Sequence, residues 1–185
     1  TSLTALRLAE IFSEVGLPPG VVNIVTGDGR AGAALSKHPG IKKLAFTGST
    51  EVGKLLAKVA AERNDGLKLT LELGGNDPLI ITASADLERA TDVALRASCL
   101  ATGQACQSLE RIYVDARISD EFIARLVTHA EAVPLNWPDS RQGQVGPLIF
   151  SRQAEIIAAQ LADAVEKGAR IETGGVSGWQ ASSVP

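Results

Sequence analysis

Two residues in this 185-residue chain have the types and settings for joint covalent chemistry. Cys106 follows Gly103-Gln104-Ala105, and an accessible cysteine whose thiolate is favoured is a nucleophile. Glu72 stands in Leu71-Glu72-Leu73-Gly74-Gly75-Asn76 at the predicted end of a strand. Strand C-termini are where α/β proteins place chemistry, and a partly desolvated carboxylate there can act as a general base. Each residue taken alone has a plainer reading. A free cysteine is commonly a small buried hydrophobe, and a single strand-end Glu commonly sits in water. Cys99, beside Ala97 and Leu100 in a predicted helix, fits the buried reading.

Two glycine turns are candidates for a phosphate. Gly27-Asp28-Gly29-Arg30-Ala31-Gly32 matches G-x-G-x-x-G between a predicted strand and a predicted helix. Such glycines let a phosphate approach N–H groups at a helix start. Asp28 is a poor neighbour for a phosphate, and the run fits a plain tight turn equally well. Phe46-Thr47-Gly48-Ser49-Thr50-Glu51-Val52-Gly53 is a second strand-to-helix turn. There the Ser49 hydroxyl and the helix N-terminal amides can hold a pyrophosphate; the plainer reading is a capped helix after a buried strand. Two such turns on consecutive units favour a nucleotide site over either turn alone. His38, before Pro39 at a helix end, and His129, mid-helix, have no metal-ligand spacing. G-x-S-x-G is absent, which argues against a Ser-His-Asp hydrolase.

The elements that must position these groups alternate in type. Helices are predicted over 1–15, from the Gly27–Gly32 turn to Lys37, from Gly48–Gly53 to Arg63, over 85–101, 119–132 and 151–167. Strands are predicted over 21–25, 43–47, 67–73, 78–82, 111–114 and 169–172. Val21–Val25, almost wholly apolar, reads as a strand covered on both faces. A loop over 134–147 contains Trp137-Pro138, and a Gly/Ser-rich tail begins at Gly174. The alternation predicts an α/β fold with a mostly parallel sheet. Hydrophobic content of 45% and charged content of 21% describe a globular protein, and a net charge of −3 argues against nucleic acid as a partner. No apolar run is long enough for a membrane span. Two cysteines without a disulfide framework point to the cytoplasm. The lack of Met suggests that the true N-terminus lies elsewhere.

Four ordered motifs together resemble the NAD(P)-dependent aldehyde dehydrogenase superfamily. They are Pro18-Pro19-Gly20-Val21-Val22-Asn23-Ile24-Val25, the Phe46–Gly53 run, Leu71-Glu72-Leu73-Gly74-Gly75-Asn76-Asp77-Pro78, and Gly103-Gln104-Ala105-Cys106. The similarity extends over almost the whole chain, with the Glu-to-Cys spacing the family shows. The resemblance implies that Cys106 attacks an aldehyde to give a thiohemiacetal. Hydride transfer to the nicotinamide then leaves a thioester. Glu72 is implied as the base that activates Cys106 or the hydrolytic water, and the Cys106 N–H as an oxyanion donor. Gly48 and Ser49 match pyrophosphate contacts and Val52 a residue beside the adenine. Gly29 and Gly32 fall near the adenosine, and Gly53 and Gly74 complete the implied NAD or NADP set.

The resemblance implies a Rossmann-like α/β architecture in two incomplete domains. Residues 1–73 would be the latter part of the NAD(P)-binding domain and 74–185 the first part of the catalytic domain. It also implies a small-molecule aldehyde substrate and a homodimer or homotetramer for the full-length protein. The chain departs from the pattern at Gln107-Ser108, where many relatives carry small residues, and at Asn76, where many carry Lys. It starts after the family's oxyanion Asn and ribose-contacting Lys, and stops before its Glu-x-Phe-Gly-Pro segment. On that basis the chain is expected to be a central fragment, inactive alone. The alternatives are a non-catalytic nucleotide-binding fragment and a thiol hydrolase that uses no cofactor.

Overall fold

The computed structural model describes residues 2–136, 139 and 141–175. Trp137-Pro138 and the tail beyond Gly175 therefore lie outside the described residues. The chain forms two compact units, with the boundary in sequence between Leu73 and Gly74.

The first unit contains α1 (Ser2–Glu14), α2 (Gly29–Lys37), β1 (Lys43–Thr47), α3 (Thr50–Glu62) and β2 (Lys68–Glu72). β1 and β2 pair in parallel from Lys43↔Lys68 to Thr47↔Glu72. Leu44, Phe46, Leu69 and Leu71 are half-buried and alternate with exposed residues, so one face of this pair is covered. α3 packs on β2. After α3, Arg63 donates to the Ser36 carbonyl at 2.9 Å and the Ile41 carbonyl at 2.8 Å, and so ties α3 to the end of α2. Gly16 ends α1 with a pair of reversed bonds, Gly16 N–H to Ser13 O and Leu17 N–H to Phe12 O. The apolar side chains of α1, among them Leu3, Leu6, Leu8 and Ile11, are exposed.

The second unit contains β3 (Asp77–Ile81), α4 (Leu87–Cys99), a 3-10 turn (Leu100–Gly103), β4 (Leu109–Val114), α5 (Ser119–Glu131) and α6 (Ser151–Glu166). β3 and β4 are parallel, with α4 as their crossover. The ladder shifts between Asp77 and Pro78. Pro78 has no N–H to give, and the Glu110 carboxylate accepts the Asp77 N–H at 3.0 Å. The core is Ile81, Ala94 and Phe122, packed against Leu79, Leu87, Ile112, Val114 and Leu126. Burying Phe122 contributes about 1.5–3 kcal/mol. Asp86 caps α4 by accepting the Arg89 N–H. Among the described residues no helix is long and apolar enough to cross a membrane.

Two predicted strands are not strands. Val21–Val25 is irregular, with Val21, Val22 and Val25 exposed. Residues 169–172 are likewise without a ladder. Apolar content favours a strand only where a neighbour takes its N–H and C=O groups. Among the described residues β1 pairs with β2, and β3 with β4, and neither segment joins them. The helix predicted to reach Ala101 stops at Cys99, where the backbone tightens into the 3-10 turn.

Candidate active site

In the first unit the parallel pairing brings two candidates to one edge. Glu72 and Thr47 are register partners at the C-terminal ends of their strands, and the Gly48 N–H donates to the Glu72 carbonyl at 3.0 Å. The Glu72 carboxylate is exposed. The chain leaves β1 through Gly48, where an added Cβ would lie 2.5 Å from the Phe46 ring. Ser49 follows in extended geometry and caps α3, its hydroxyl accepting the Val52 N–H at 3.3 Å. Val52 is exposed on the first turn. Gly53 is buried. A Cβ there would come 2.6 Å from Leu73, and its N–H is spent on the Ser49 carbonyl. Gly53 therefore seats α3 against the end of β2. The Glu51 carboxyl is held below its usual range by its own backbone N–H and then by the Ser49 hydroxyl.

The other glycine turn is built differently. Asp28 caps α2 by accepting the Arg30 N–H at 2.9 Å, and its carboxylate is also bound by the Arg30 guanidinium. That guanidinium, and then the Arg30 N–H, hold the Asp28 carboxyl below the usual range. The N-terminus of α2 already carries an anion. Gly29 and Gly32 are exposed in the first turns of α2, and a Cβ at either would meet nothing.

Cys106 belongs to the second unit. It is exposed, and its Sγ donates to the Gln107 side-chain oxygen at 3.1 Å. The backbone approaches it through three residues of left-handed φ: Ala101 at 52°, Thr102 at 62° and Gly103 at 68°. For Ala and Thr that conformation costs on the order of 1–2 kcal/mol each. At Gly103 a Cβ would also lie 2.9 Å from the Ser98 carbonyl. Gly74 and Gly75 are both exposed, but they differ in room for a side chain: a Cβ on Gly74 would meet nothing, whereas one on Gly75 would sit 2.3 Å from the Cys106 carbonyl oxygen. Among the described residues no acceptor takes the Cys106 N–H, whereas the Ser108 N–H donates to Ala105 O. The Ser108 hydroxyl is buried without a partner among the described residues, a cost that the turn carries. Cys99, expected to be buried, is half-buried at the end of α4, and burial pushes its thiol up. No group of His, Cys, Asp and Glu suited to a metal occurs among the described residues. His129 lies instead beside Asp92 at 3.3 Å, on the α4 side of α5.

The family model described as the aldehyde dehydrogenase family matches residues 1–183. The chain belongs to the aldehyde dehydrogenase family. It is 45% identical over 176 residues to retinaldehyde dehydrogenase 3 of Rattus norvegicus, covering 95% of this chain and 34% of that protein. Among solved structures it is similar to the NAD+ complex of an aldehyde dehydrogenase from Bacillus cereus. There the TM-score is 0.89 and the identity 38%, over 95% of this chain and 35% of that one. It is also similar to lactaldehyde dehydrogenase from Escherichia coli, with a TM-score of 0.89 and 36% identity over 95% and 37% of the two chains. The chain thus spans about a third of the length of the relatives it matches.

Within this aldehyde dehydrogenase chain, the structure places Glu72, Gly48, Ser49, Val52 and Gly53 around the C-terminal edge of one strand pair. Gly29 and Gly32 lie at the separate start of α2, and Gly74 and Cys106 belong to the second unit. Sequence reasoning gave no role to Gly75 or Gln104, although both stand inside recognised motifs. A doubled glycine after a strand was the one available signal for Gly75. Its reason, the Cys106 carbonyl, is visible only once the chain is folded.

Proposed function

We propose that the protein to which this chain belongs oxidises an aldehyde to a carboxylic acid with NAD(P)+, with Cys106 as nucleophile and Glu72 as base. The observation that carries this reading is an exposed Cys106, unlike the half-buried Cys99, on a conformationally constrained turn in a chain of this family. A base, Glu72 on this reading, takes the Cys106 thiol proton; the thiolate adds to the aldehyde carbon, forming a C–S bond, and the carbonyl oxygen becomes the alkoxide of a thiohemiacetal. The free N–H of Cys106 faces that developing charge as a hydrogen-bond donor. NAD(P)+, when bound, supplies the acceptor for the hydride that leaves the same carbon. Glu72 takes a proton from water as it adds to the resulting thioester; the C–S bond breaks, and the acid and the thiol are released.

The residues at the α3 start fit a dinucleotide. Gly48 keeps the backbone bare, and Ser49 is a neutral cap where α2 has the charged Asp28. Gly48, Ser49 and the first N–H groups of α3 would hold the pyrophosphate, and exposed Val52 would lie beside the adenine. Gly53 supports them through Leu73, and Gly29, Gly32 and Gly74 would border the same cofactor. On this reading 1–73 is part of an NAD(P)-binding domain and 74–185 part of a catalytic domain. The substrate is a small aldehyde, the assembly a homodimer or homotetramer, and the compartment the cytoplasm.

The test is Cys106→Ser in the full-length protein. Aldehyde-dependent NAD(P)H formation should fall to background while cofactor binding, followed by nicotinamide fluorescence, stays within about twofold, because only a reacting atom has changed. Undiminished turnover would remove Cys106 as the nucleophile. Glu72→Gln should slow acid release and flatten its pH dependence.

A further inference from the structure

The turn that carries Cys106 is held from far along the chain. Two successive non-glycine residues with left-handed φ persist only where their surroundings over-determine them. Local bonds include Gln104 N–H to Ala101 O and Ser108 N–H to Ala105 O, both at 3.1 Å. Further bonds come from residues 146–149. The Gln104 side-chain oxygen accepts the Ile149 N–H at 2.8 Å, and its Nε2 donates to the Pro147 carbonyl at 3.4 Å. The Thr102 hydroxyl donates to the Gly146 carbonyl at 3.2 Å. Both ends of one carboxamide are therefore engaged by backbone groups, two residues before the sulfur. A main-chain target cannot swing away as a side chain can, so this bridge fixes the height at which the turn stands.

We infer that Gln104 is a positioning residue for Cys106, a staple that pins the strained turn to the 147–149 backbone. It touches no reacting atom. Its effect on rate rests on the reading of Cys106 as nucleophile, but the staple itself does not. With the staple cut, Ala101 and Thr102 can relax towards right-handed φ, and the sulfur moves with them.

The experiment compares wild type, Gln104→Met, Gln104→Asn and Gln104→Glu in the full-length protein. It reads hydrogen exchange at the Ile149 amide, and kcat and KM per titrated thiol. Met keeps the length but offers Ile149 no comparable acceptor, and Asn is too short to reach it. In both, Ile149 should lose protection and kcat should fall about tenfold to a hundredfold, with KM within about twofold, as for loss of alignment rather than of binding. Glu keeps the acceptor and should restore protection and most of kcat. Asn makes the same comparison should Met fail to fold. Unchanged Ile149 exchange in both Met and Asn would overturn the staple. So would unchanged kcat per titrated thiol with only a smaller folded fraction, since that is what a merely structural role predicts. Should Cys106→Ser retain turnover, the nucleophile reading fails while the Ile149 exchange still decides whether the staple exists.

Discussion

The turn at Ser49 and the turn at Cys106 solve opposite problems. The Ser49 turn leaves β1 in relaxed extended geometry, with φ −71° and ψ 150°, and satisfies itself through a bond three residues long. The Cys106 turn runs through three left-handed residues and is secured by groups 43 to 45 residues away. A helix start needs only a cap and bare N–H groups to receive an anion, and neighbours in sequence can supply both. On the proposed reading Cys106 is a nucleophile, which has to stand at one height and angle, and that takes rigidity a short exposed turn cannot generate alone.

The largest effect should come from the strained side. Gly75→Ala places a methyl where the Cys106 carbonyl now lies, 2.3 Å from the new Cβ, and neither backbone can yield cheaply. We expect turnover to fall about a hundredfold with cofactor affinity nearly unchanged; a fully active Gly75→Ala enzyme would mean that the turn adapts freely and that the contrast with Ser49 is false. On the relaxed side, Ser49→Ala removes the cap, at about 1 kcal/mol of stability. It should weaken NAD(P)+ binding several-fold, as seen by titration, and leave alkylation of Cys106 by iodoacetamide unchanged. Asp28→Asn in the same assay should leave binding unchanged, because the pyrophosphate sits at α3; tightened binding, from loss of a like charge, would instead move the pyrophosphate to α2.

The smallest effect lies outside both turns. The Arg117 guanidinium, and then its N–H, hold the Asp115 carboxyl at about 2, below its ordinary 3.8. A depressed carboxylate contributes stability that is present above 3.8 and is lost as pH falls through the window down to about 2. Denaturant midpoints should therefore drop over that window, and less so in Asp115→Asn. The pair is exposed, so the difference should be small and weaken with salt.

The contrast between the turns also explains what could be read before folding. The cap at Ser49, the glycines around it and the strand end at Glu72 are local patterns, and each lies where its pattern predicts. Val21–Val25 misled because a run of valines states a preference for burial, whereas a strand also needs a partner. Cys106 was visible as a residue type beside a glycine. Thr102 and Gln104 stand close before it and Gly75 closely follows Glu72, but their work depends on a carbonyl or an N–H brought near by the fold, and no periodicity encodes that.

Storage should cost this protein its thiol before its fold. Strain held over Ala101–Gly103 is released whenever the turn opens, so opening there takes less free energy than exposing Phe122. Cys106 is already at the surface, where sulfenic and then irreversible sulfinic acids form, while Cys99 is shielded at the end of α4. Aged samples should keep native circular dichroism yet return one titratable cysteine instead of two.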